Sequence, residues 1–260
     1  MLRLDRITKK FHIGTPDETT LFDQFSFEVK DGELVSIVGS NGSGKTTLLN
    51  IICGSLSVEG GKVFFKDQDI TRMTEFKRAD KIGRVFQDPK KGTCDELTIL
   101  ENMALADNKH KSYGLSRGVN KRRMDYYRTL LETCGMGLED RLNVKAGTLS
   151  GGQRQALALI LANMTDIELL ILDEHTAALD PKSSETVMQI TDKLVKEKQV
   201  TSLMVTHNLR FALEYGTRLV MMHEGRCVLD VSGEEKQQLE IDALLKVFNE
   251  ISVELSLIHI

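Results

Sequence analysis

The chain has 260 residues, 41% hydrophobic and 28% charged, with only 3 prolines, which suits a soluble α/β globule of one domain or a domain plus subdomain. A net charge of -4 argues against nucleic acid as the main partner, because a phosphate-backbone surface needs a large positive excess. The widely spaced Cys53, Cys94, Cys134 and Cys227 form no C-x-x-C pair and read as thiols of a reducing compartment, and no apolar run approaches the roughly 20 residues of a membrane span.

Met1-Leu-Arg-Leu-Asp5 alternates like a strand rather than a leader peptide. Leu2 to Thr8 and Phe25 to Val29 read as half-buried antiparallel strands, with a loop from Gly14 to Thr20 between them. Asp31-Gly32 turns into the apolar run Leu34 to Val38. Next comes Gly39-Ser40-Asn41-Gly42-Ser43-Gly44-Lys45-Thr46-Thr47, and then Leu48 to Ile52, which has helical character. Strand, glycine-rich loop and helix together fit G-x-x-x-x-G-K-[ST], which a plain Gly/Ser turn has no reason to do. The glycines let successive backbone N–H groups converge on one anion, and the helix adds its positive end. Lys45 is expected to reach the β- and γ-phosphates of a nucleotide, and the Thr46 hydroxyl to ligate Mg²⁺.

Glu59 to Gly61 turns into a strand over Lys62 to Phe65, Asp67 to Asp69 turns again, and Ile82 to Phe86 is a short strand ending at Gln87. Strand signals then vanish until about Gly147. Leu97 to Ala106 and Arg122 to Cys134 look helical, so residues 88–147 read as an inserted helical subdomain. The basic stretch Lys109, Lys111, Arg117, Lys121, Arg122, Arg123 and Arg128 suits either a nucleic-acid patch or a solvated helix face, and the acidic whole favours the second.

Ser150 to Met164 is a strong helix, Leu169 to Leu172 a buried strand, Ser184 to Lys198 an amphipathic helix and Thr201 to Val205 another buried strand. This alternation implies a parallel sheet. Leu219 to Met222 and Cys227 to Val231 flank Glu224-Gly225 as a hairpin, and Asp242 to Asn249 reads as a final helix. The apolar tail, 251–260, is either a docking strand or non-native.

The strand over Leu169 to Leu172 delivers Asp173 and Glu174 at its C-terminal end, where open α/β sheets bind ligands. Asp173 is expected to hold Mg²⁺ through water, and Glu174 to act as general base on the attacking water. His207 and Gln87 also follow strand ends: the first suits the γ-phosphate, the second a metal and the water. Ser150-Gly151-Gly152-Gln153 opens a helix with a natural N-cap and a bare first turn, a second anion site. An economical use of it is two chains head to tail, each lending its Ser150 helix to the other's γ-phosphate.

Together these residues resemble the ATP-binding subunits of ABC transporters, over essentially the whole chain and in the family's order. Gly39 to Thr47 is similar to the Walker A motif, Gln87 to the Q-loop, Leu149 to Gln153 to the LSGGQ signature, and Asp173-Glu174 to Walker B with its catalytic glutamate. Ala178 to Asp180 is similar to the D-loop and His207 to the switch histidine. The resemblance implies an α/β P-loop NTPase of ABC type: a mainly parallel core sheet, an antiparallel β subdomain (both within 1–87 and 148–250) and a helical subdomain. It further implies ATP and Mg²⁺ as ligands, Phe11 stacking on adenine, and Asp180 near the nucleotide. The family usually has proline where this chain has His175, which puts the turn after Glu174 and the rate in question.

The same resemblance implies an ATP-sandwich homodimer at the cytoplasmic face of a prokaryotic cell membrane. Separate integral-membrane permease subunits would dock on the helical insert, and no nucleic acid is expected. Val85 to Thr93, Asp173 to Pro181 and Met221 to Arg226 resemble an importer branch paired with a substrate-binding lipoprotein, some members of which are assigned to aromatic amino-acid uptake. On that branch His175 is a normal feature. The expected function is therefore the ATPase of an importer of a small solute such as an amino acid. The alternatives are an exporter subunit and a soluble ABC ATPase acting on ribosomes or DNA; one motif set without sustained heptads disfavours the latter.

Overall fold

The structure, a computed structural model, describes residues 1–109 and 118–248. It comprises two compact units, Met1–Arg78 with the chain from Thr201 onward, and Ala79–Val200. In chain order, the first unit opens with β1 (Leu2–Phe11), β2 (Thr19–Val29), β3 (Leu34–Gly39), α1 (Lys45–Cys53), β4 (Gly60–Phe65), β5 (Gln68–Asp69) and α2 (Glu75–Arg78). The second unit holds β6 (Ile82–Val85), α3 (Ile99–Asp107), α4 (Met124–Glu132), α5 (Gly151–Asn163), β7 (Leu169–Asp173) and α6 (Pro181–Lys198). The chain then returns to the first unit with β8 (Thr201–Val205), α7 (Leu209–Glu214), β9 (Arg218–His223), β10 (Arg226–Ser232) and α8 (Gly233–Gln237), followed by helical residues 241–248.

In the first unit, β2, β1, β4 and β5 form an antiparallel sheet in that order. Leu2, Leu4 and Ile7 all face inward although Leu4 and Ile7 are three apart. A register shift between them, with Arg6 at φ 48°, restores the inward face after one extra residue. Phe22 and Phe25 stack beneath it with ring centroids 4.7 Å apart. Asp67 to Asp69, read from sequence as a turn alone, also supplies β5. Lys66 and Asp67 take positive φ and fold Gln68 and Asp69 back onto Phe65 and Phe64.

Also in this unit, β3 lies parallel between β8 and β9 and is buried at every residue, as an apolar run covered on both faces should be. Helix α1 buries Leu48, Leu49, Ile51 and Ile52, each contributing about 1.5–3 kcal/mol. Its C-terminus closes on Gly54 at φ 85°. Arg78, 4% exposed, donates to the carbonyls of Ile51, Ile52, Ile70, Thr71 and Met73. A buried guanidinium is tolerated because carbonyls meet its donors, and its charge suits the negative end of α1.

In the second unit β6 and β7 pair in parallel, Val85 opposite Leu172. Helix α3 starts at a capping box between Thr98 and Glu101. The helix expected from Ser184 begins earlier, at Pro181. Asp180 is its N-cap and proline is pre-organised for the first helical position. Of the basic stretch, Arg123 is engaged by Asp107, Arg128 by Asp125, and Lys109 by the Ala79 carbonyl. Lys111, Arg117 and the tail 251–260 lie outside the described residues. Among the described residues, no helix is long and apolar enough to cross a membrane.

Candidate functional site

In the first unit the phosphate loop leaves β3 at Gly39. A Cβ there would lie 2.2 Å from the Met222 carbonyl oxygen on β9 and 2.8 Å from Ser43 Oγ, so only glycine fits. Ser43 N–H donates to the Ser40 carbonyl at 3.3 Å, curling the loop around the exposed Asn41 and Gly42. Gly44, at φ 103°, is the N-cap of α1 and offers no side-chain cap, which leaves the first turn of that helix suited to an anion. Lys45 is 5% exposed, and its Nζ donates to the Gly39 and Ser40 carbonyls at 2.8 Å each. A buried ammonium, a curled loop and an uncapped helix start together fit a polyphosphate. Thr46 is exposed and Thr47 half-buried on the first turn.

Two further predicted residues belong to this unit. Val205 at the end of β8 is paired with Ile37 of β3, and Thr206 N–H donates to the Ile37 carbonyl at 3.1 Å. The exposed His207 therefore follows β8 at the sheet edge where Gly39 ends β3. Asn208 caps α7 immediately after it. Phe11 ends β1 half-buried, with the Lys9 ammonium 5.3 Å from its ring centroid and held by Glu59 at 2.6 Å.

The second unit gathers the remaining predicted residues. Gln87 and Glu174 each lie two residues beyond the Val85–Leu172 pair, so they leave β6 and β7 at the same end. Asp173 closes β7, and its Oδ2 accepts from Arg84 of β6 at 2.6 Å. Glu174 is half-buried with φ 48°. His175 turns inward and is 2% exposed; burial pushes its imidazole down to about 4.

Ser150 and Gln153 form the expected capping box at the start of α5. The glycines between them have a second reason to be glycine. A Cβ on Gly152 would lie 2.8 Å from Ser183 Cβ, and one on Gly151 would lie 3.3 Å from Leu179. The signature turn thus packs against the segment that carries Asp180. Asp180 accepts from Ser183 N–H at 3.0 Å, and hydrogen bonds from the Ser183 side chain and backbone hold its carboxyl below the ordinary value.

Sequence reasoning missed the residues behind these groups. Arg84 grips Asp173, Gln155 donates to the Phe86 carbonyl at 3.0 Å just before Gln87, and Thr191 meets His175. A polar residue inside an otherwise apolar face was the available signal for Gln155 and Thr191. Nothing in its spacing marks Arg84. Among the described residues no group of three His, Cys, Asp or Glu could hold a metal ion by itself. The Thr46 hydroxyl in the first unit and, separately, the Gln87 amide and Asp173 carboxylate in the second are oxygen donors of the kind a hard cation such as Mg²⁺ takes, along with waters and phosphates.

Known proteins resemble this chain in sequence and in fold. A family model described as ABC transporter matches residues 22–177. The chain is 45% identical over 248 residues to a tyrosine transport ATP-binding protein of Clostridioides difficile (strain R20291), covering 95% of this chain and 98% of that one. It is 33% identical over 252 residues to the energy-coupling factor transporter ATP-binding protein EcfA2 of Clostridium tetani (strain Massachusetts / E88), covering 95% and 83%. Among solved structures, it is similar to a dimeric post-hydrolysis state of the ATP-binding cassette MJ0796 bound to ADP and Pi. The TM-score is 0.76 at 30% identity, covering 89% of this chain and 98% of that one.

Proposed function

This chain belongs to the ABC transporter family as an ATP-binding, ATP-hydrolysing cassette, and from that premise we propose that it powers uptake of an aromatic amino acid such as tyrosine into a prokaryotic cell. The 45% identity to a tyrosine transport ATP-binding protein across nearly both chains is the observation that carries the solute class. The chain works as a homodimer on the cytoplasmic face of the membrane. It is joined to integral-membrane permease subunits that dock on the helical insert, 88–147, and to a substrate-binding lipoprotein.

Each residue set then has a task. The loop Gly39 to Thr47 cradles the phosphates, Lys45 offsets the β/γ charge, and Phe11 stacks on adenine. Thr46, Gln87 and Asp173 would hold Mg²⁺, whose charge offsets that on the transferring phosphate. Glu174 takes the proton of the attacking water, and His207 holds the γ-phosphate. Ser150 to Gln153 of one chain, with Asp180, serves the nucleotide bound by the other. Catalysis is mostly positioning and charge stabilisation.

The test is uptake of labelled tyrosine in cells expressing this chain together with a permease and a substrate-binding lipoprotein that co-purify with it. Uptake that needs Lys45 and the lipoprotein supports the reading. Tyrosine efflux, or a partner set that transports another solute and ignores tyrosine, overturns it.

A further inference from the structure

The segment after β7 carries an anchor that the reaction as described does not use. Glu174 stands in the left-handed region at φ 48°, which costs energy for any residue with a Cβ and persists only where neighbours impose it. The next side chain, His175, is 2% exposed, and its Nε2 lies 3.1 Å from Thr191 Oγ1 on α6. Thr191 is itself 1% exposed and donates its single hydroxyl hydrogen to the Val187 carbonyl at 2.8 Å. The hydroxyl oxygen can therefore only accept from the ring. That assigns the hydrogen to Nε2 and leaves Nδ1 bare.

Two further bonds complete the brace. Ala177 N–H donates to the Glu174 carbonyl at 2.9 Å, and Ser184 Oγ on α6 donates to the Thr176 carbonyl at 3.1 Å. The turn is thus closed on itself and tied to α6 at both of its central residues, His175 and Thr176. Rotating Glu174 out of the left-handed region would pull the ring off Thr191 and leave a buried donor unmet.

We propose that His175 is a positioning residue for Glu174: pinned by Thr191, its ring fixes the backbone of Glu174 and so where that carboxylate stands. The proposal rests on Glu174 being the general base. Thr191→Val keeps the shape and removes the acceptor; His175→Phe keeps a ring and removes the donor; His175→Gln keeps a donor. Thr191→Val and His175→Phe should each lower kcat about tenfold with the KM for ATP unchanged. The double variant should fall no further than either single one, and His175→Gln should recover most of the loss.

In the wild-type chain, nitrogen-15 NMR of the His175 ring should show Nε2 protonated and Nδ1 bare, a readout that needs no variant. Full kcat in Thr191→Val, additive losses in the double variant, or a ring protonated at Nδ1 alone would overturn the proposal. Glu174→Gln, run alongside, separates the two readings. If it turns over at the wild-type rate, the general-base assignment falls. If it is inactive while Thr191→Val is unimpaired, only the anchor falls.

Discussion

Arg84 donates to Asp173 at 2.6 Å, and both side chains are only 13% exposed. The carboxylate read as a metal ligand thus already faces a cation from the neighbouring strand. Removing one partner of a largely buried pair leaves the other charge uncompensated. Arg84→Met should cost about 3 kcal/mol of stability in urea without nucleotide. Mg²⁺ with ATP should then stabilise the variant more than the wild type, because the metal replaces the missing charge. Equal stabilisation of both proteins would show that Asp173 does not serve the metal.

Gly39→Ala places a Cβ 2.2 Å from the Met222 carbonyl oxygen. Backbone cannot yield as a flexible side-chain tip does, so the loop must shift. The expected cost is about 2 kcal/mol or more, with ATP affinity lost along with it. Equilibrium dialysis with labelled ATP checks this, and near-wild-type affinity would count against the loop as the phosphate cradle.

His175 links stability to pH. Burial lowers its folded value from 6.5 to about 4, so between those values the unfolded chain binds more protons. The contribution is fully present above pH 6.5, declines as the pH falls through that window, and is gone near pH 4. The size is about 3 kcal/mol in all. Urea titrations of wild type and His175→Gln isolate it from the carboxylates. The wild type should lose stability faster on acidification, and parallel pH curves would contradict a buried neutral ring.

Glu174→Gln keeps the side chain's shape and removes the proposed base. It should bind ATP normally, hydrolyse it about 100-fold or more slowly, and accumulate as dimers on gel filtration. Wild-type phosphate release would remove Glu174 from the chemistry.

Much of this was legible before any coordinates, for a physical reason. Gly39, Lys45, Asp173 and Ser150 sit at strand ends and helix starts set by local backbone geometry, and local geometry leaves spacing patterns in sequence. The buried strands β3, β7 and β8 were readable as short, mainly apolar runs. Arg78, Arg84, Gln155 and Thr191 were not, because each acts on an element 27, 89, 69 or 16 residues away in the chain. The four-residue α2 was too short to show a period. Gly151 and Gly152 were found for one reason, the bare helix start, and the structure adds their contacts with Leu179 and Ser183.

The shared site between two chains is tested most directly by mixing two inactive variants. Lys45→Ala spoils the phosphate loop alone. Ser150→Asp spoils the signature alone, since aspartate still caps the helix but repels phosphate. In a mixed dimer one site carries both defects and the other carries neither. Each variant should be inactive by itself, and an equimolar mixture should recover about a quarter of wild-type ATP turnover, as random pairing in a symmetric dimer dictates. A mixture no more active than its components would contradict the account.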